Sequence, residues 1–129
     1  MHVFSFSAVK GRHISAFGSK GATISPVTRG PRSQQTVALH LEPNGVLGSH
    51  KAVSDQLLIV TSGIAEVTTE SGKSKISYTL SPGNAILWRS GEVHEIRAGH
   101  DGLLGIILEG DTLSKYVSMP SRRLQPERG

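Results

Sequence analysis

Apolar and polar positions along this chain alternate in short runs, each closed by turn residues. "TVALHL" (36–41) stops at "EPNG", where a proline and an Asn-Gly pair mark a tight turn. "QLLIVTSG" (56–63) is an apolar run of strand length bounded by Gly63. "IAEVTT" (64–69) alternates and faces "KISYTL" (75–80) across "ESGKS", which predicts a hairpin with Gly72 in its turn. Further strands are predicted from "SPGNAILW" (81–88), "HEIRA" (94–98) and "GLLGIILEG" (102–110). A helical period of 3.6 is suggested only in "DTLSKYVS" (111–118), as one short helix or an extended tail. Many short strands without a repeat or linker predict one all-β domain, a sandwich or small barrel.

Composition narrows the picture. The chain has 129 residues, with 15 glycines, 6 prolines and no cysteine. That length supports a single core, and the lack of cysteine excludes a disulfide framework, a thiolate nucleophile and a Cys-ligated zinc. No apolar run approaches the roughly 20 residues of a membrane span, and the first residues lack the pattern of a signal peptide. A soluble, cytoplasmic protein is therefore expected.

The formal net charge of +4 is unevenly spread. Residues 1–32 carry five basic side chains and no acid, residues 33–114 carry a net −4, and the tail from Lys115 a net +3. Nucleic-acid binding calls for a basic stripe on a folded surface, and here the basic residues are scattered over the extensions. Nucleic acid is thus not an expected partner, and neither is a membrane.

Candidate chemistry centres on two histidines. His50, Ala52, Gln56 and Gly63 follow the spacing H-x-H-x3-E-x6-G of the first cupin motif, with Ala52 and Gln56 in place of a histidine and a glutamate. Gly83, Gly91 and His94 follow the second motif, G-x5-P-x-G-x2-H-x3-N, with Arg89 and Ala98 in place of the proline and asparagine. Between Thr36 and Gly110 the chain resembles the cupins. The pattern W-x-x-G-E-x-H-E at Trp88–Glu95 is also similar to a group of small single-domain bacterial cupins with no assigned activity.

The resemblance implies a double-stranded β-helix, a jelly-roll barrel of two antiparallel sheets. It implies a core over 36–114 and N-terminal strands over 1–35 serving dimerisation, while the basic, polar tail over 115–129 is expected from its composition to be flexible. It also implies that His50 and His94 meet at the barrel mouth. Three histidines and a glutamate hold a metal through neutral imidazoles and one balancing negative charge. Ala52 has no donor atom and Gln56 no charge, so no tightly bound metal is expected; His50, Gln56 and His94 could hold only a weak divalent ion such as Zn, Ni, Fe or Mn. The leading expectation is a homodimeric barrel that binds a small molecule through His50, Gln56, Trp88, Glu92 and His94. Trp88 would stack on a ring if it faces the pocket, and is otherwise core. Glu92 would act only if it folds inward from its turn. The alternative is a metal-dependent oxygenase, isomerase or lyase acting on a small polar substrate at the same reduced site. Serine is abundant, but no G-x-S-x-G elbow, P-loop or dinucleotide fingerprint can be placed.

Overall fold

The computed structural model describes residues 1–122, and among these there is no α-helix. Seven strands follow in order: β1 (Arg12–Ile14), β2 (Lys20–Arg29), β3 (Gln35–Lys51), β4 (Asp55–Ser71), β5 (Ser74–Leu80), β6 (Ala85–Trp88) and β7 (Val93–Gly110). All pairings are antiparallel, in the order β1-β2-β3-β7-β4-β5, with β6 on the other edge of β4. Three short 3-10 turns, at Ala8–Lys10, Ala16–Gly18 and Leu113–Lys115, complete the described chain. No helix is long and apolar enough to cross a membrane among the described residues.

Several strands expected as separate are continuous. "HEIRA" and "GLLGIILEG" are two halves of β7, and "QLLIVTSG" and "IAEVTT" two halves of β4. The turn expected at "EPNG" is a bend inside β3, with Asn44 at φ 61°. The hairpin at "ESGKS" forms as expected, with Ser71 opposite Ser74 and Gly72 at φ 60°. The short helix expected over 111–118 is a single 3-10 turn at Leu113–Lys115. Residues 123–129, the last part of the tail expected to be flexible, lie outside the described residues. At the other end, β1 and β2 extend the sheet beyond the free edge of β3.

The bends make two sheets out of one set of long strands. The first halves of β3 and β4 pair with the second half of β7, for example Leu39 with Gly105 and Leu58 with Ile107. Their second halves pair with the first half of β7, for example Leu47 and Val67 with Ile96. The register shifts between Leu41 and Val46, between Val60 and Ser62, and between Gly63 and Ala65, so the three bends lie side by side. Between the layers Leu39, Leu58, Val60, Val67 and Ile96 are almost wholly buried, each contributing about 1.5–3 kcal/mol. Near the bend of β3 the side chains alternate: Leu39 and Leu41 face the core, while His40 faces out and binds the Phe6 carbonyl at 2.8 Å.

Glycine is required where the bends touch. Gly63 has φ 84°, and a Cβ there would lie 2.0 Å from the carbonyl oxygen of Gly102. Gly102 in turn has φ 76° and would place a Cβ 2.7 Å from the Leu41 oxygen. Gly63→Ala is expected to cost at least about 2 kcal/mol, because left-handed strain and a backbone clash add. Gly72→Ala, at a φ of 60° with nothing within 4 Å, should cost only about 1 kcal/mol. Urea unfolding of both variants checks the difference. Equal losses would mean that the bend is not tightly packed.

Candidate functional site

Because each long strand doubles back, both of its ends lie at the end of the barrel away from the bends. At that mouth the second sheet presents His50 on β3 directly opposite His94 on β7, and Thr69 on β4 on the other side of His94. His94 shares its inward face with Ile96 and is 1% exposed. Facing it from the first sheet is Trp88, the last residue of β6 and also 1% exposed. The indole lies flat on the His94 ring, with centroids 4.1 Å apart and an interplanar angle of 14°. Its Nε1–H donates to Thr69 Oγ1 at 2.6 Å. Trp88 therefore joins the two sheets as well as filling the lumen beneath His94.

The stack continues outward. His50 lies 4.4 Å from His94 at a tilt of 58°, and Phe17 covers His50 at 5.1 Å and 19°. Phe17 belongs to the Ala16–Gly18 turn, where it holds φ 60° although it is not glycine. The turn is seated on β3: Gly48 N–H donates to Ser19 Oγ at 2.9 Å, and a Cβ at Gly48 would fall 1.8 Å from the Phe17 carbonyl oxygen. A left-handed aromatic residue costs about 1–2 kcal/mol, and a ring stack returns about 0.5–1.5 kcal/mol. The two nearly cancel, so Phe17 is held over His50 by a small margin. Phe17 itself remains 64% exposed.

The hydrogen bonds of the two imidazoles set their tautomers. His50 Nδ1 lies 2.8 Å from the Gly48 carbonyl, and His94 Nδ1 lies 3.4 Å, a long contact, from the Glu92 carbonyl. A carbonyl oxygen only accepts, so in each ring Nδ1 carries the hydrogen and the neutral form leaves its lone pair on Nε2. Burial, aided by the neighbouring His50, lowers the His94 pKa from 6.5 to about 4 against the opposing pull of the Glu92 carbonyl. His94 is thus neutral across the physiological range.

The remaining candidates have other engagements. Ala52 is 1% exposed and locked to the turn that precedes β7: its N–H donates to the Glu92 oxygen at 2.9 Å, and its own oxygen accepts from Gly91 N–H at 2.8 Å. The Glu92 carboxylate caps that turn by accepting from Arg89 N–H at 3.0 Å. Glu95, on the outward face beside His94, pairs with Arg97 at 3.1 Å. Gln56 lies inward on β4, opposite Trp88 on one side and Glu109 on the other, and its amide donates to Glu109 Oε1 at 2.8 Å. The second carboxylate oxygen of Glu109 accepts from Gln35 Nε2 at 2.6 Å. Phe17, Thr69, Gln35 and Glu109 carried no spacing signal. Only the inward parity of Glu109 with Ile107 could have marked one of them.

The donor set does not fit the metal site that the motifs imply. Two imidazoles remain, no donor stands at Ala52, and Gln56, whose amide N–H is given to Glu109, offers only an uncharged carbonyl oxygen. Among the described residues no three His, Cys, Asp or Glu side chains come together as a metal would need. Grooves of about 340 Å³, beside Arg29, Gln35, Glu109 and Tyr116, and about 290 Å³, beside His40 and Glu42, flank the barrel, and neither is lined by His50 or His94.

A buried acid braces the same end of the molecule. Asp55, 5% exposed, accepts from Ser90 N–H at 3.1 Å and Ser114 N–H at 3.0 Å. Burial alone would raise its pKa, but the bonds from Ser114 and Ser90, with the charge of Arg89, outweigh it and hold the carboxyl below its ordinary 3.8.

Sequence comparison matches no protein family and no curated protein. Solved structures do match. The Drosophila melanogaster CENP-C cupin domain superposes with a TM-score of 0.66 at 14% identity, covering 78% of this chain and 74% of that one. A variant of Bacillus subtilis oxalate decarboxylase superposes at 0.70 and 23% identity, over 84% of this chain and 29% of that one. This chain has the cupin fold. It spans less than a third of the decarboxylase chain, and at these identities the likeness is one of architecture.

The cupin barrel should therefore carry an acid-labile ring stack. Between pH 6.5 and about 4 the unfolded chain binds a proton at His94 that the folded chain refuses, so stability falls as pH falls through that window. The loss is on the order of 3 kcal/mol by pH 4, at about 1.4 kcal/mol per unit. Asp55 adds its own loss only lower, as pH drops from about 3.8 through its depressed pKa. His94→Phe keeps a flat ring without the proton, so its urea midpoint should fall less than the wild type's between pH 6.5 and 4. Parallel curves for the two proteins would contradict this assignment.

Proposed function

We propose that this chain is a small-molecule-binding cupin barrel that acts without a tightly bound metal. The observation that carries this reading is the pair of imidazoles at the barrel mouth, each with Nδ1 anchored on a backbone carbonyl and Nε2 left as an acceptor. Such a pair offers hydrogen-bond acceptance and flat apolar faces together, the mixture by which small barrels orient a ligand. A cytoplasmic location belongs to the same reading.

Gln56 supports the metal-poor reading in a specific way. A glutamate there would set two carboxylates within hydrogen-bonding distance where the amide now donates to Glu109. Two such charges cannot both ionise cheaply. Gln56→Glu is therefore expected to lower stability at pH 7 by about 1–3 kcal/mol and to recover part of it in acid. The alternative, a metal-dependent oxygenase, isomerase or lyase, draws on the same Nδ1 anchors, since that arrangement also presents Nε2 to a metal. Elemental analysis of untagged protein separates the two readings. Well under one metal per chain, with weak rebinding of zinc, is expected; one ion per chain retained through chelator dialysis would favour the enzyme.

The partner in this reading is a second copy of the chain. Val3, Phe4, Phe6 and Val9 are 97%, 88%, 49% and 90% exposed in a segment tied to the barrel by Ser25 Oγ on the Ser7 carbonyl and His40 on the Phe6 carbonyl. Such a run of large apolar side chains is a liability in water and suits a self-association surface. Light scattering should give a dimer, and deletion of residues 1–7, which contribute no strand, should weaken it at least tenfold. A monomeric full-length chain at micromolar concentration would refute this.

A further inference from the structure

Phe17 is expensive for the chain to hold where it is. Two consecutive residues, Phe17 and Gly18, take φ of 60° and 72°, and Phe17 is one of four non-glycine residues with positive φ among the described residues. β3 accommodates the turn only because Gly48 has no side chain, and Ser19 Oγ ties the turn to the Gly48 N–H at 2.9 Å. The residue so placed is mostly exposed to water, and its ring covers a half-buried imidazole. A strained backbone, a cleared landing place and an exposed aromatic ring make little sense as core packing. They make sense as a cover over His50 that can lift.

We infer that Phe17 is the gate of the histidine site, and that the ligand this site takes is a flat aromatic or heteroaromatic ring that replaces Phe17 on the face of His50. The inference rests on the small-molecule reading above and names its ligand class. The surface under Phe17 is made of rings: His50, His94 and Trp88 stand one behind another with spacings of 4.4 and 4.1 Å, and the Phe17 ring lies nearly parallel to His50, 19° apart, with solvent beyond it. A flat π system keeps the offset stack with His50, whereas a puckered ring of equal size cannot. Because the intramolecular ring competes with the ligand, the apparent affinity of the intact protein is the intrinsic one scaled by the fraction of time the gate is open.

The experiment is a titration of the full chain with phenol, and with cyclohexanol as the non-planar control, followed by NMR of the His50 and His94 ring C–H signals. Phe17→Gly removes the competing ring and also relieves the left-handed backbone, so the variant folds. It should bind phenol about five- to tenfold more tightly than wild type. Gly48→Ala keeps the ring but drives a methyl into the Phe17 carbonyl, and should give a gain in the same direction. Cyclohexanol should bind none of the three. If Phe17→Gly binds phenol no better than wild type, or not at all, the gate is refuted. If its binding then remains sensitive to His50→Ala, the ligand site itself still stands. Phenol binding to Phe17→Gly that survives His50→Ala would overturn both the gate and the site.

Discussion

The structure depends on three long strands bending at one place. β3, β4 and β7 cross from one sheet to the other at Leu41–Val46, Val60–Ala65 and Ala98–Leu103, and the crossings are packed backbone against backbone through Gly63 and Gly102. With the bends fixed, the far ends of the strands have no freedom to separate. The sheet that ends in Gln35, Gln56 and Glu109 and the sheet that ends in His50, Thr69 and His94 form the two lips of one mouth. Trp88 then closes the gap between them, stacked on His94 and bonded to Thr69. A tight turn at one end of the barrel thus sets the chemistry at the other.

That chemistry departs from a four-ligand metal centre for reasons visible in the packing. Ala52 carries both backbone bonds to the Gly91–Glu92 turn and is enclosed by it, so it serves the wall of the barrel. Gln56 is an amide because its neighbour across the strand is already a carboxylate. The two histidines that remain are arranged as rings in a column as much as ligands in a cluster. Burial of the inner one keeps it uncharged, which preserves both its stacking and its acceptor nitrogen.

Much of this was legible in the chain. The resemblance to the cupin motifs implied that His50 and His94 meet, and the register sets them opposite each other. Turn chemistry predicted the Gly72 hairpin. Strand lengths were not legible, because "EPNG" and "RAGHDG" look like chain reversals and are bends within β3 and β7. A bend and a hairpin use the same residue types, and only the partner strand distinguishes them. Gln56 sat at a family ligand position, but its bond to Glu109 depends on a strand more than fifty residues away. Phe17 left no trace at all: its left-handed backbone lacks a glycine, and the glycine that makes room for it is Gly48, on another strand.

The central claim is that both imidazoles at the barrel mouth are anchored through Nδ1, so that in the neutral ring Nε2 is the acceptor, and that burial keeps His94 neutral. The most direct measurement is long-range proton–nitrogen NMR correlation on the imidazole rings of metal-free protein at pH 7. The account predicts that His50 carries its proton on Nδ1, and that His94 shows a neutral ring with the same tautomer and no titration above about pH 5. A protonated His94 at neutral pH, or a neutral ring at either position with its hydrogen on Nε2, would contradict it.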